Sequence, residues 1–160
     1  MKKENKTNAM RILDTAKIPY EPFYYECDEF IDGVHIADML GQPYESSFKT
    51  LVIQGKSKNY FVFVIPIAEE VDMKKAAKAV GEKALEMVHV KDIMSVTGYI
   101  RGGVTSIGMK KKYPTVIDET AQLFDTIIVS GGMLGTQIHL APDDLLKIVE
   151  GQYADITLAH

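Results

Sequence analysis

The chain has 160 residues, a quarter of them charged, and a formal net charge of −4. That length supports one domain over residues 1–160 with a proper core. The acid balance excludes a broad, unaided nucleic-acid surface, leaving only local basic patches at Lys74, Lys75 and Lys78 and at Arg101 with Lys110, Lys111 and Lys112.

No apolar h-region follows the basic start Met1–Asn8, and no apolar run approaches membrane-spanning length. The single cysteine, Cys27, cannot close an internal disulfide. The expected address is therefore the cytoplasm, with no membrane partner.

In chain order, residues 8–17 are predicted as a helix. Thr7 is its N-cap, and Ala9, Ile12, Leu13 and Ala16 make one apolar face before Pro19 stops it. Tyr20 to Tyr25 is an aromatic-rich strand that Pro22 assigns to a sheet edge. Cys27 lies among Glu26, Asp28 and Glu29, where a thiolate would be repelled, so it is a poor nucleophile. Val34 to Leu40 is a short helix closed by Gly41.

Phe48 to Ile53 is predicted as a strand, turned back by 55–59 into a continuous apolar strand, Tyr60 to Ile65, of the kind found at a sheet centre. Alternation puts Lys49 on one face with Leu51 and Ile53, and Phe48, Thr50 and Val52 on the other. Lysine on an apolar face is unusual. It either snorkels out at the strand end or points into a cleft, where it would hold an anion or have a lowered pKa.

Asp72 caps a helix over Met73 to Val80, with Ala76, Ala77 and Val80 inward, the lysines facing water, and Gly81 as the stop. Ala84 to Val88 is a strand and Val90 to Val96 a short helix. Strands follow from Thr115, from Thr126 to Val129 and from Thr136 to Leu140, with a helical turn over Glu119 to Leu123. In the last of these, Gln137 and His139 share a face. Pro142 opens a helix with Asp143 and Asp144 in its first turn; Gly151 ends it, and Tyr153 to Thr157 adds an edge strand.

Two glycine clusters punctuate this pattern. The first runs from Thr97 to Lys112 and places Gly102, Gly103 and Gly108 around Thr105 and Ser106, ahead of three lysines. A loop of bare N–H groups beside positive charge suits an anionic or strongly polar ligand. A glycine-rich turn with a solvated charge run is the plainer alternative. The second cluster is Ser130 to Gly135. Neither matches a P-loop or a dinucleotide fingerprint. Metal-ligand spacing is absent, and His35, His89, His139 and His160 form no catalytic pattern.

Several motifs fall in one order: Ser-Phe-Lys-Thr-Leu-Val (47–52), Met-Lys-Lys-Ala-Ala-Lys-Ala-Val-Gly (73–81), Thr-Gly-Tyr-Ile-Arg-Gly-Gly-Val-Thr-Ser-Ile-Gly (97–108), Val-Ser-Gly-Gly-x-x-Gly (129–135) and Leu-Ala-Pro-Asp-Asp-Leu (140–145). This pattern resembles the YbaK/EbsC aminoacyl-tRNA deacylases, relatives of prolyl-tRNA synthetase editing domains, and is closest to the branch that removes cysteine from tRNA for proline. The resemblance covers nearly the whole chain.

It implies a mixed α/β fold around a curved, barrel-like sheet with surrounding helices. It implies an ester hydrolase without metal or cofactor, acting on the aminoacylated 3′ end of tRNA, with prolyl-tRNA synthetase as a further partner. Lys49 takes the place of the essential lysine, with Thr50 beside it. Tyr25 matches a pocket tyrosine. Gly102, Gly103 and Thr105 match the substrate-cradling loop, Gly131 and Gly132 the second glycine turn, and Asp144 the aspartate after the final strand. Ser106 departs from the family, which carries proline there. In that branch the substrate's own cysteine thiol attacks its ester carbonyl. Backbone N–H groups around Gly102 and Gly103 are the candidate oxyanion donors. Water-driven deacylation of alanyl-tRNA and a non-catalytic RNA- or ligand-binding module remain as alternatives.

Overall fold

The computed structural model describes residues 6–158; the start of the chain and His160 lie outside the described residues. Among the described residues five helices and eight strands succeed one another: α1 (Asn8–Thr15), β1 (Glu21–Tyr24), α2 (Gly33–Leu40), β2 (Phe48–Gly55), β3 (Tyr60–Pro66), α3 (Met73–Val80), β4 (Leu85–Met87), α4 (Ile93–Thr97), β5 (Thr115–Asp118), β6 (Ile127–Ser130), β7 (Thr136–Leu140), α5 (Pro142–Val149) and β8 (Gln152–Ala154). The helix predicted over 90–96 divides into a 3-10 turn at Val90–Asp92 and the single turn of α4.

The strands make two sheets, ordered β4-β2-β3-β5-β8 and β1-β7-β6. β2 runs antiparallel to both β3 and β4, whereas β5 joins β3 and β8 joins β5 in parallel. The two sheets meet at a parallel bridge between Ser47 and Ile128, where the Ile128 N–H donates to the Ser46 carbonyl. β3 is central, as its unbroken apolar run requires, and β1, with Pro22, lies at an edge. The expected barrel-like sheet is corrected here. One edge of β2 carries β6 at its start and β4 at its end, so the strands fan apart, and among the described residues β1, β4 and β8 remain open edges.

Two apolar clusters fill the faces of this arrangement. Phe48, Val64, Val129, Ile138 and Leu140 pack with Leu13 of α1 and Leu145 of α5. Ile53, Phe61, Phe63 and Ile65 pack with Ala76 of α3 and Ile156. The expected caps are present: Thr7 and Asp72 accept from backbone N–H groups of the first turns, and Gly41 and Gly81 are left-handed; Asp32 caps α2 in the same way.

Two details differ from expectation. Lys75 does not face water alone; its Nζ donates to Asp155 and to the Thr157 carbonyl, both at 3.0 Å. At the end of α5 the left-handed residue is Glu150 (φ 50°), not Gly151. Gly151 serves a different need, since a Cβ there would lie 2.8 Å from the Thr115 carbonyl oxygen. Only glycine lets β8 approach β5 so closely.

Asp118, the last residue of β5, ties this strand to the 3-10 turn at Glu119–Leu123 and to the segment after β8. It is fully buried, accepts from the Ile156 N–H at 3.2 Å and also accepts from the Thr120 N–H and hydroxyl. Asp118→Ala leaves the Ile156 donor unpaired and removes an N-cap, for an expected loss of roughly 3 kcal/mol by chemical denaturation. A loss below about 1 kcal/mol would mean that water replaces the carboxylate.

Candidate active site

Lys49 sits on the β2 face of Leu51 and Ile53, directly across from the fully buried Ile65 of β3. Continuing the Ser47–Ile128 pairing up both parallel strands brings Lys49 level with Ser130 of β6. Ser130 in turn pairs with Gln137 of β7. The intervening residues Phe48, Val129 and Ile138 all enter the other core cluster. By alternation, Lys49, Ser130 and Gln137 therefore form one polar row across the opposite face.

Half-burial against these apolar neighbours lowers the Lys49 pKa, and the nearby carboxylates of Glu70, Asp32 and Glu69 oppose the shift. Asp32 caps α2, and the adjoining Gly33 lies against Ile67; a Cβ there would be 2.8 Å from the Ile67 side chain. This contact seats the start of α2 over the end of β3. Beyond its other end, Gln42 exchanges hydrogen bonds with Gln137 at 2.7 and 3.0 Å. α2 thus roofs the polar row. His139, on the same β7 face, stacks on Phe23 with ring centroids 3.9 Å apart, and burial lowers its pKa.

The two glycine clusters form one wall. A Cβ on Gly103 would lie 2.9 Å from the Met133 backbone. Gly102 (φ 89°) approaches Leu134 and Phe30, and Gly132 (φ 102°) approaches Tyr99 and Thr105. Arg101 stacks 3.9 Å over the exposed Phe30 ring. The Tyr25 N–H donates to the Gly135 carbonyl at 2.9 Å, and burial raises the Tyr25 pKa, which keeps its hydroxyl protonated.

The expected site residues separate into two groups. Lys49, Tyr25, Gly102, Gly131 and Gly132 border this face or its wall. Thr50 takes the opposite face of β2, across from Val64. Thr105 is buried, and its hydroxyl oxygen lies 3.4 Å from the Ile107 N–H of its own loop. The N–H of Gly103 donates to Ile100 and that of Gly131 to Thr136, both at 2.9 Å, so neither is free as an oxyanion donor. Asp144 lies in the first turn of α5, after Leu140, which pairs with Ile127 about 10 Å along the strand from Ser130 and Gln137.

Asp32, Gln42, Ser130 and Gln137 were not expected at the site. A polar Gln137 beside His139 in an otherwise apolar strand was the available signal. Ser130 accepts from the Gly132 N–H at 3.3 Å, which leaves its own hydroxyl proton available. Among the described residues, no three of His, Cys, Asp or Glu converge as a metal site, and no helix is long and apolar enough to cross a membrane.

Known proteins match this chain in both sequence and structure. The model of the aminoacyl-tRNA editing domain matches residues 34–148. An Enterococcus faecalis protein, provisionally named Cys-tRNA(Pro)/Cys-tRNA(Cys) deacylase EbsC, is 46% identical over 157 residues, covering 98% of this chain and 96% of its own. A solved structure described as a trans-editing enzyme for prolyl tRNA synthetase matches with a TM-score of 0.78 at 21% identity, over 96% of this chain and 99% of that one. A solved hypothetical protein matches with a TM-score of 0.84 at 16% identity, over 92% and 97%. At such identities the structural matches establish the mixed α/β fold.

The depressed Lys49 pKa carries a signed prediction. The folded chain releases this proton at lower pH than the unfolded chain, which titrates near 10.5. Between those two values the unfolded state binds more protons, so this group makes stability rise with pH. Lys49→Met should raise the melting temperature at neutral pH and remove that contribution to the alkaline rise. Melts from pH 7 to 10.5 check it; a lower melting temperature at pH 7 would show that the ammonium is held by more than its three acidic neighbours.

Proposed function

The chain belongs to the aminoacyl-tRNA editing domain family, and we propose that it acts as a trans-editing deacylase. In this reading residues 1–160 work as one unit that clears cysteine from mischarged tRNA for proline, with prolyl-tRNA synthetase as its partner. The name of the Enterococcus faecalis relative supports the substrate class. The observation that carries the reading is Lys49: a half-buried cation on an apolar sheet face, level by strand register with Ser130, which leads into the second glycine turn.

The substrate is an ester between an aminoacyl group and the terminal ribose. Lys49 holds the polar ribose–phosphate end and offsets charge that develops on the ester oxygen. The Ser130 hydroxyl and the Gly102 N–H are the remaining donors for the carbonyl oxygen. No nucleophile of this chain is needed. The substrate's thiol sulfur attacks the ester carbonyl carbon, a C–S bond forms as the C–O bond to ribose breaks, and the thiol proton passes to the ribose oxygen. The products are a cysteine thiolactone and tRNA with a free terminal hydroxyl. Metal and cofactor have no part in this scheme.

Rates on cysteinyl-, alanyl- and seryl-tRNA for proline test it. Cysteinyl-tRNA should be cleared, and the seryl isostere, which lacks sulfur, should persist. Equal rates on the cysteinyl and alanyl substrates would overturn the thiol step and favour an attacking water. Lys49→Met should lower the cysteinyl rate by roughly a hundred-fold or more while the protein stays folded. Cys27 donates to the Glu29 carbonyl and has no place in the scheme. Cys27→Ser should leave the rate unchanged; a ten-fold loss, about 1.4 kcal/mol, would return that thiol to the active site.

A further inference from the structure

A cleft of about 270 Å³ lies between α1, the loop 106–113 that ends the first glycine cluster, and the end of α5. Its floor is apolar, from Ile12, Val62, Ile107 and Val149, and its rim carries Lys110, Lys111 and Lys112. We propose that this cleft seats the acceptor strand of the RNA substrate, a nucleotide unit over the apolar floor and its phosphodiester against the lysines. The proposal rests on the deacylase reading and extends it to a second contact.

Three observations support the assignment. The rim lysines differ in engagement. Lys110 donates to the Ser95 carbonyl at 3.2 Å, and Lys112 pairs with Glu150. The Lys111 ammonium is exposed and makes no hydrogen bond or ion pair among the described residues. A free cation beside a concave apolar surface matches the two halves of a nucleotide.

The cleft is also continuous with the site wall. A Cβ on Gly132 would lie 3.7 Å from Thr7, the N-cap of α1. One on Gly108 would lie 2.6 Å from Ile12, which lines the cleft. From Thr7 to Ile12 is about 7 Å of helix; the cleft lies on the sheet face of Leu13 and Val149, opposite that of Lys49, so a strand whose terminal ribose lies by Lys49 would enter it by passing over the glycine turns. Finally, the chain is acidic overall, so RNA must be gripped at such a confined spot.

The test uses the full chain and uncharged tRNA for proline, with binding read by fluorescence anisotropy across a salt series. Lys111→Ala should reduce the slope of log affinity against log salt by about 0.7, the value for one single-strand phosphate. Extrapolated from 1 M, that slope makes binding about four-fold weaker at 0.15 M salt. Glu150→Gln releases Lys112 and should tighten binding. With charged tRNA, Lys111→Ala should raise KM and leave kcat unchanged, and hydrolysis of a 3′-aminoacyl-adenosine ester should not change.

Wild-type tRNA affinity and salt slope in Lys111→Ala would overturn the cleft assignment while leaving the deacylase reading intact. A wild-type chain that cleaves neither ester, yet loses tRNA affinity on Lys111→Ala, would overturn the deacylase reading and support the RNA contact. An equal loss of rate on the adenosine ester would also overturn the assignment, because it would place Lys111 at the chemistry.

Discussion

An ammonium group partly removed from water on a β-strand must be compensated by charge or expelled, and the region around β2 is built to compensate it. Ile65 faces Lys49 across the ladder and desolvates it. Glu69 and Glu70, just beyond β3, and Asp32, at the start of α2, supply negative field without any of them forming a close ion pair with Lys49 among the described residues. A direct buried pair would spend the charge on the protein itself. A dispersed acidic field retains the cation and leaves its donors for a ligand. Asp32 has a second role, since it caps α2 and bonds to His35, so the residue that helps hold the charge also fixes the helix that roofs the row.

The same economy of contact governs the glycine turns. Gly103 lies against Met133, Gly132 near Thr105, and Gly135 against the Tyr25 carbonyl, where a Cβ would be 2.4 Å away. At Gly103 and Gly135 these are backbone approaches that no larger residue permits, and at Gly132 the positive φ of 102° favours glycine. The glycines therefore bring two loops and the Tyr25 segment into one wall. The Gly103 N–H, which sequence would assign to an oxyanion, is consumed in making it, and so is that of Gly131. Their role is to position the wall, and the donors left for a carbonyl lie at its edges.

Much of the fold was legible because periodicity and capping agree along the chain. The apolar run of β3, the Pro22 edge and the Asp72 cap each act through local chemistry. The open sheet was not legible: it depends on β6 and β4 dividing one edge of β2, a long-range contact that no local pattern encodes. The site divides in the same way. Lys49 stood out by alternation alone. The motif that holds Asp144 gives the order of residues and not the end of the strand on which they fall. Ser130 and Gln137 join Lys49 only through strand register across three strands, and Asp32 only through the packing of Gly33 on Ile67.

Ser106 shows how such register changes the meaning of a departure from pattern. Proline at that position would fix one backbone torsion, and its absence alone would leave the loop freer. In this chain the loop is restrained from outside. The Tyr99 hydroxyl donates to the Ile107 carbonyl and lies 3.3 Å from that of Gly108. The Thr105 hydroxyl sits over the Ile107 N–H, and Ile107 itself is buried in the core. Tyr99 is in turn held at its own backbone, where its N–H donates to the buried Thr97 hydroxyl at 3.0 Å. Hydrogen bonds to the two residues after Ser106 do the work of a ring at 106. They also leave Ser106 half-exposed on the cleft side, where a hydroxyl can meet solvent or a phosphate and a pyrrolidine could not donate to either.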